Sequence, residues 1–315
     1  MFYPLSSNSW GEEEALVFQR ILEKGRFTMG ESVKKFESSF ADKIGIQNAT
    51  MVSSGSMANL VGLSALFYKK NNPLKRGDEV IVPAVSWATT YYPLQQYGLK
   101  LKFLDVELDT LNMDVSRLEE ALTSKTRMVV AVSILGNPCA LNILREFCDK
   151  HGLYLFEDNC ESMGAILNGK PCGTFGDIAT FSTFFSHHIS TMEGGIIVTK
   201  DKEIYHLTKS LRAHGWTRDI PSGTSAYEKG DDDFHEAYRF ILPGYNARPL
   251  ELSGALGVEQ LKKLDSLLDI RRQNARVFVD LFAGDERFII QKENGSSSWF
   301  SFTIVLNPKI SIKRS

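Results

Sequence analysis

The chain has 315 residues, of which 43% are hydrophobic and 23% charged, and its formal net charge is −2. That length suits one large globular unit and part of a second, with enough core to need no disulfide staples. The near-neutral balance gives no reason to expect nucleic acid or an anionic membrane surface as a partner, and no apolar run approaches the roughly 20 residues that span a bilayer.

Residues 1–5 lack the basic, apolar and small-residue regions of a signal peptide. Ser9 and Glu12 are spaced as a capping box, and Gly25 can stop the helix that follows. Val33, Phe36, Phe40 and Ile44 recur at helical spacing up to Gly45. Short apolar runs at 79–83, 101–105, 128–133, 153–158 and 196–199 predict strands. Helical patterns at 57–70, 115–123 and 141–151 fall between them. That alternation predicts an α/β fold with a mostly parallel sheet covered on both faces. The stretch 222–233, with two glycines and three consecutive aspartates, predicts an exposed loop. A helix is expected from Leu250 to about Phe282, then a strand over 297–306. Cys139, Cys148, Cys160 and Cys172 contain no Cys-x-x-Cys pair and read as reduced thiols, so neither a disulfide frame nor a metal site is expected.

Five segments can carry chemistry. Ser53-Ser-Gly-Ser-Met-Ala-Asn59 stands at the mouth of a helix, where first-turn amides can meet a phosphate. Asp158 closes an apolar strand, at the sheet edge where ligands collect, and can pair with a protonated ring nitrogen. Thr180-Phe-Ser-Thr-Phe-Phe-Ser-His-His-Ile-Ser-Thr-Met-Glu-Gly-Gly195 offers Thr183 five positions before His188, and a glycine pair for a tight turn. An imidazole moves protons near neutral pH, and His188 is the candidate base; His187 reads as an ordinary loop histidine. Trp87 can stack on a flat heteroaromatic ring. Tyr245, Asn246 and Arg248 make a donor-rich loop before a helix.

In their order these segments resemble the successive signatures of the fold-type I sugar aminotransferases of the DegT/DnrJ/EryC1/StrS family. The likeness runs from Tyr3 to about Phe302 and is densest at 79–87, 89–98, 212–218 and 242–246. It implies an aspartate aminotransferase-like fold. A large domain would occupy 1–245, and residues 246–315 would begin a small α/β domain that the chain does not finish. It implies pyridoxal 5′-phosphate or its pyridoxamine form as cofactor. Gly55, Ser56 and Thr183 would hold the phosphate, with threonine where the family has serine. Asp158 would meet the pyridine nitrogen, Trp87 would cover the ring and Glu161 would line the pocket. Asn246 would reach the neighbouring subunit's cofactor, in a homodimer with shared active sites.

The family anchors its cofactor on a lysine, and His188 stands at that place in this reading. The resemblance then implies the branch that removes the C3 hydroxyl of a GDP-linked 4-keto-6-deoxyhexose. Glutamate would be the amino donor, His188 the base, and the setting cytoplasmic deoxysugar synthesis for a polysaccharide. One alternative is a nucleotide-sugar aminotransferase using Lys200 or Lys209. Another is a catalytically inactive relative that only binds cofactor. A route through an iron–sulfur cluster needs cysteines downstream of the histidine, and none follows Cys172.

Overall fold

Glycines end the first two helices. Gly25 and Gly45 both take left-handed φ, 63° and 77°, closing α1 (Glu12–Lys24) and α2 (Glu31–Ile44). The cap of α1 lies two residues later than its sequence suggests: the Gly11 amide donates to the Glu14 carboxylate at 2.7 Å, while the Ser9 hydroxyl turns away to Gln260. The protein is described by a computed structural model that covers residues 4–221, 224 and 227–310. Tyr3, four residues of the loop expected over 222–233, and 311–315 lie outside the described residues.

The chain continues through β1 (Asn48–Val52), α3 (Gly55–Phe67), β2 (Glu79–Pro83), α4 (Ala88–Gln96) and β3 (Lys100–Leu104). The helix expected over 115–123 divides into a 3-10 turn, Val115–Arg117, and α5 (Leu118–Ala121). Then come β4 (Thr126–Val132), α6 (Leu141–His151), β5 (Tyr154–Asp158), the small hairpin β6 (Ile166–Leu167) and β7 (Lys170–Pro171), and β8 (Ile178–Ser182). Next follow β9 (Gly195–Thr199), α7 (Lys202–Leu211), α8 (Asp233–Ala237) and the long α9 (Glu251–Phe282). β10 (Phe288–Ile290) and β11 (Ile304–Leu306) make a two-stranded sheet, so only the end of the strand expected over 297–306 forms. Among the described residues no helix is long and apolar enough to cross a membrane.

Seven strands form one sheet in the order β1-β9-β8-β5-β4-β2-β3. β9 runs antiparallel to both neighbours and the other pairings are parallel. Strand alternation divides the core between two faces. Met128, Val130, Phe156 and Ile178 meet α3 and α7 on one face. Val129, Ala131 and Leu155 meet α6 on the other, where Phe181 joins Phe36 and Phe40 of α2 and Leu261, Leu264 and Leu268 of α9. The parallel strands β2, β4, β5 and β8 present their carboxyl ends along one edge, which is where an open α/β sheet binds ligands.

Candidate active site

A cavity of about 460 Å³ opens at that edge, floored by Val132, Asp158 and Ser182 at the ends of β4, β5 and β8. A larger cleft of about 730 Å³ lies beside α2, but its buried ionic groups are committed to one another. There Glu37 takes ion pairs from Lys209 and Arg212, and Arg212 also donates to the Met51 carbonyl.

Asp158 is the best-held group in the smaller cavity. It is 5% exposed, and its carboxylate accepts from the Asn59 amide at 2.8 Å, the Thr90 hydroxyl at 2.7 Å and the Cys160 backbone amide at 3.2 Å. Asn59 is itself fixed by the Thr180 hydroxyl at 2.6 Å. Beside it, Cys160 is a lining residue that sequence reasoning missed; burial and the Asp158 charge push its thiol well above the usual range. Glu161 accepts from the Leu135 amide at 2.8 Å, and burial raises its carboxyl. Trp87 caps α4 and lines the mouth with its indole mostly exposed.

The phosphate-like cradle lies at the start of α3. The Ser54 hydroxyl accepts from the Met57 amide, and Gly55 and Ser56 face the cavity from the first turn. A Cβ on Gly55 would stand 2.7 Å from the Ser182 Cβ, and one on Gly195 would stand 2.1 Å from the Ser54 carbonyl oxygen. Those approaches bring the Ser182 hydroxyl, the α3 amides and Gly195 at the start of β9 together, as an anion site at a helix N-terminus requires.

Two expectations need correcting, both by one residue. His188 does not line the cavity; it is 2% exposed and its Nε2 lies 3.1 Å from the Ser298 carbonyl oxygen, which it serves as donor. His187 lines the cavity instead. Its ring meets Phe300 edge-on at 5.0 Å, and its Nδ1 is buried without a hydrogen-bond partner. Burial and the Arg271 charge lower its pKa to about 4, against the opposing pull of Asp158, so the imidazole is neutral and able to accept a proton. Likewise Thr183 is fully buried and bonded to Thr191 at 2.6 Å, while Ser182 faces the cavity. The cause is strand alternation: Thr180 and Ser182 share one face of β8, and Phe181 turns into the opposite core.

Asn246 is exposed and lies outside this chain's own cavity, with its side-chain oxygen taking the Arg248 guanidinium at 3.1 Å. Among the described residues no lysine lines the cavity. Lys200 reaches the Thr174 carbonyl and Lys209 is committed to Glu37. The orphaned His187 nitrogen, the glycine cradle and the triply bonded Asp158 together fit a flat, phosphate-bearing cofactor whose ring nitrogen is cationic.

Comparison with known proteins gives the chain a family and the fold close counterparts. The profile of the DegT/DnrJ/EryC1/StrS aminotransferase family matches residues 8–315. GDP-4-keto-6-deoxy-D-mannose 3-dehydratase of Yersinia pseudotuberculosis is 51% identical over 313 residues, covering 99% of this chain and 80% of that protein. A crystal structure of GDP-4-keto-6-deoxymannose-3-dehydratase with a trapped PLP-glutamate geminal diamine superposes with a TM-score of 0.96. Its identity is 50%, covering 99% of this chain and 81% of that one. A ColD double variant, with a histidine changed to lysine and the serine just before it changed to asparagine, superposes with a TM-score of 0.95 at 50% identity. The match covers 98% of this chain and 81% of that one.

Proposed function

Because the chain belongs to the DegT/DnrJ/EryC1/StrS aminotransferase family, we propose that it removes the C3 hydroxyl of a GDP-linked 4-keto-6-deoxyhexose, with glutamate as amino donor. The substrate and reaction follow the name of the 51% identical relative, and glutamate follows the adduct in the superposed structure. The observation that carries the reading is the imidazole of His187, which faces the cavity where an aminotransferase of this family needs an amine. In the ColD variant the altered histidine directly follows a serine; here the histidine that follows a serine is His187, behind Ser186.

When bound, pyridoxamine 5′-phosphate supplies an amine for the sugar C4 ketone and a cationic ring that takes up electrons. Gly55 and Ser56 give backbone amides to its phosphate, and the Ser182 hydroxyl completes that cradle. Asp158 pairs with the ring nitrogen and keeps it protonated. Trp87 covers the ring face and Glu161 closes the far wall. The neutral His187 imidazole, which faces the cavity, would take the proton from the carbon bearing the cofactor amine and deliver it to the departing C3 oxygen. General acid–base help of this kind contributes roughly 10²–10⁴-fold. Over a full cycle glutamate loses its amine as ammonia and gains the oxygen that the sugar loses, so 2-oxoglutarate, ammonia and a 3,6-dideoxy-4-keto sugar are released.

A histidine forms no lasting covalent anchor, so the cofactor is exchangeable in this proposal. Asn246 is presented outward to the cofactor phosphate of a second subunit, in a homodimer. Residues 1–245 form the cofactor-binding body and 246–315 belong to a smaller one, with α9 as the bridge. The four cysteines are unpaired, in keeping with a cytoplasmic setting.

The test is to incubate the protein with pyridoxal phosphate, glutamate and the GDP-keto-sugar and weigh the product. Loss of one oxygen, with ammonia and 2-oxoglutarate released, is expected; an amino sugar overturns the proposal. His187→Asn should lose dehydration by the same roughly 10²–10⁴-fold. A His187→Asn enzyme as fast as wild type removes His187 from its role.

A further inference from the structure

The stretch after α9 comes back across the cavity as irregular backbone. The Ser298 amide donates to the Gly136 carbonyl at 2.9 Å and the Phe300 amide to the Leu135 carbonyl at 3.0 Å. From α9, Arg271 donates to the carbonyls of Trp299 and Phe300, each at 3.1 Å, and Arg272 donates to that of Ser297 at 3.2 Å. Between them Trp299 sits at φ 48°, a left-handed conformation that an indole adopts only when its surroundings impose it. The remaining tie comes from His188. A carbonyl oxygen only accepts, so His188 Nε2 carries the hydrogen and Nδ1 is bare. The consequence is the placement of Phe300, which lines the cavity with its centroid 5.0 Å from the His187 ring and 5.8 Å from that of His188.

We infer that His188 is a positioning residue, whose hydrogen bond to the Ser298 carbonyl holds Phe300 against the His187 ring, keeping water from that imidazole and fixing the orientation of the ring. This rests on the reading of His187 as the base. The two adjacent histidines thereby divide the work: one faces the cavity, and the other turns inward and ties down the wall that the first leans on. His188 is suited to the tie. Burial, Arg271 and His187 hold its pKa well below the usual range, which favours the neutral ring that makes this bond. The charged and titratable groups around His187 are Asp158, Cys160 and Glu161 at and after β5, Glu193 and His188 of its own loop, and Arg271 of α9. Loosening Phe300 would admit water among them and return His187 toward its ordinary pKa.

The experiment uses the cofactor-loaded enzyme. His188→Ala should lower kcat by roughly 10–100-fold through misorientation of the base. It should also move the acid limb of the kcat/KM–pH profile upward, toward the ordinary imidazole value. His188→Gln, whose amide nitrogen can reach the same carbonyl, should restore both. Phe300→Ala should reproduce the upward shift without touching either histidine, and it carries the test if His188→Ala fails to fold. An acid limb that stays in place in His188→Ala or Phe300→Ala overturns the inference. So does a His188→Gln enzyme as impaired as His188→Ala. The two readings fail separately: an active His187→Asn removes the base, whereas an unmoved limb removes only the tie.

Discussion

Three donors converge on Asp158, and all three want an acceptor. Asp158→Asn would turn an amide NH₂ toward at least one of them and would remove the charge that keeps a ring nitrogen protonated. We expect kcat to fall by roughly 10²–10³-fold with the fold intact, read as ammonia release, since a preorganised charge at the reacting ring is lost. An Asp158→Asn enzyme matching wild type would put the ring nitrogen elsewhere. The pH dependence of stability follows from His187. Its folded pKa of about 4 lies below the ordinary 6.5, so the unfolded chain takes up a proton first as pH falls. The contribution is complete above pH 6.5 and is lost between there and about 4; melting curves of His187→Asn should therefore decline less steeply across that window than those of wild type. Asp158, Glu161 and Trp87 were legible as cavity-lining residues because each stands at or just after a readable strand end. Which histidine and which hydroxyl face the cavity was not, because Ser182–His187 and Thr183–His188 carry the same five-residue spacing. What separates them is the alternation Thr180-Phe181-Ser182. Phe181 belongs in the core, which turns Ser182 to the cavity and Thr183 away from it.

Among the elements, the contact between β9 and the turn before α3 makes the most exacting demand. At Gly195 a methyl group would meet the Ser54 carbonyl at 2.1 Å, inside any tolerable separation and against backbone. Gly195→Ala must push back the start of α3, and with it the Gly55 and Ser56 amides. Overpacking of this kind costs roughly 1–3 kcal/mol, and the cofactor Kd should rise by tenfold or so. Fluorescence titration with pyridoxal phosphate checks this, and unchanged affinity would detach the cradle from the phosphate. Strands buried on both faces, such as β2 and β5, read as plain apolar runs in the sequence. β8 did not, because two of its five residues are hydroxyl-bearing and one faces the cavity. α4 was equally hidden, carrying Pro93 and a run of threonines and tyrosines. The stretch 297–300 looked like a strand and is instead irregular, because its amides and carbonyls are taken up by the β4–α6 connection, α9 and His188 rather than by a neighbouring strand.

At the scale of the whole molecule, the outward placement of Asn246 bears on how the sites are assembled. The residue is anchored on a fixed loop: Tyr245 donates its amide to Leu211, Ala247 donates to Arg212, and the Tyr245 hydroxyl bonds to that of Tyr97 at 2.6 Å. Arg212 in turn sits in the buried pair with Glu37, which ties α2 to the end of α7. An exposed polar side chain on a backbone held this firmly, outside its own cavity, suits a site that belongs to a partner. If each site takes His187 from one subunit and Asn246 from the other, two separately crippled chains can repair each other. Protomers carrying His187→Asn and protomers carrying Asn246→Ala are each expected to be poor alone. Mixed and re-equilibrated in equal amounts, half the dimers are heterodimers, and one site in each holds both intact residues, so activity should recover to about a quarter of wild type. Sites built within single chains give no recovery, because neither protomer then holds both groups. The mixing result therefore separates a shared site from a mere dimer, which a mass measurement alone does not.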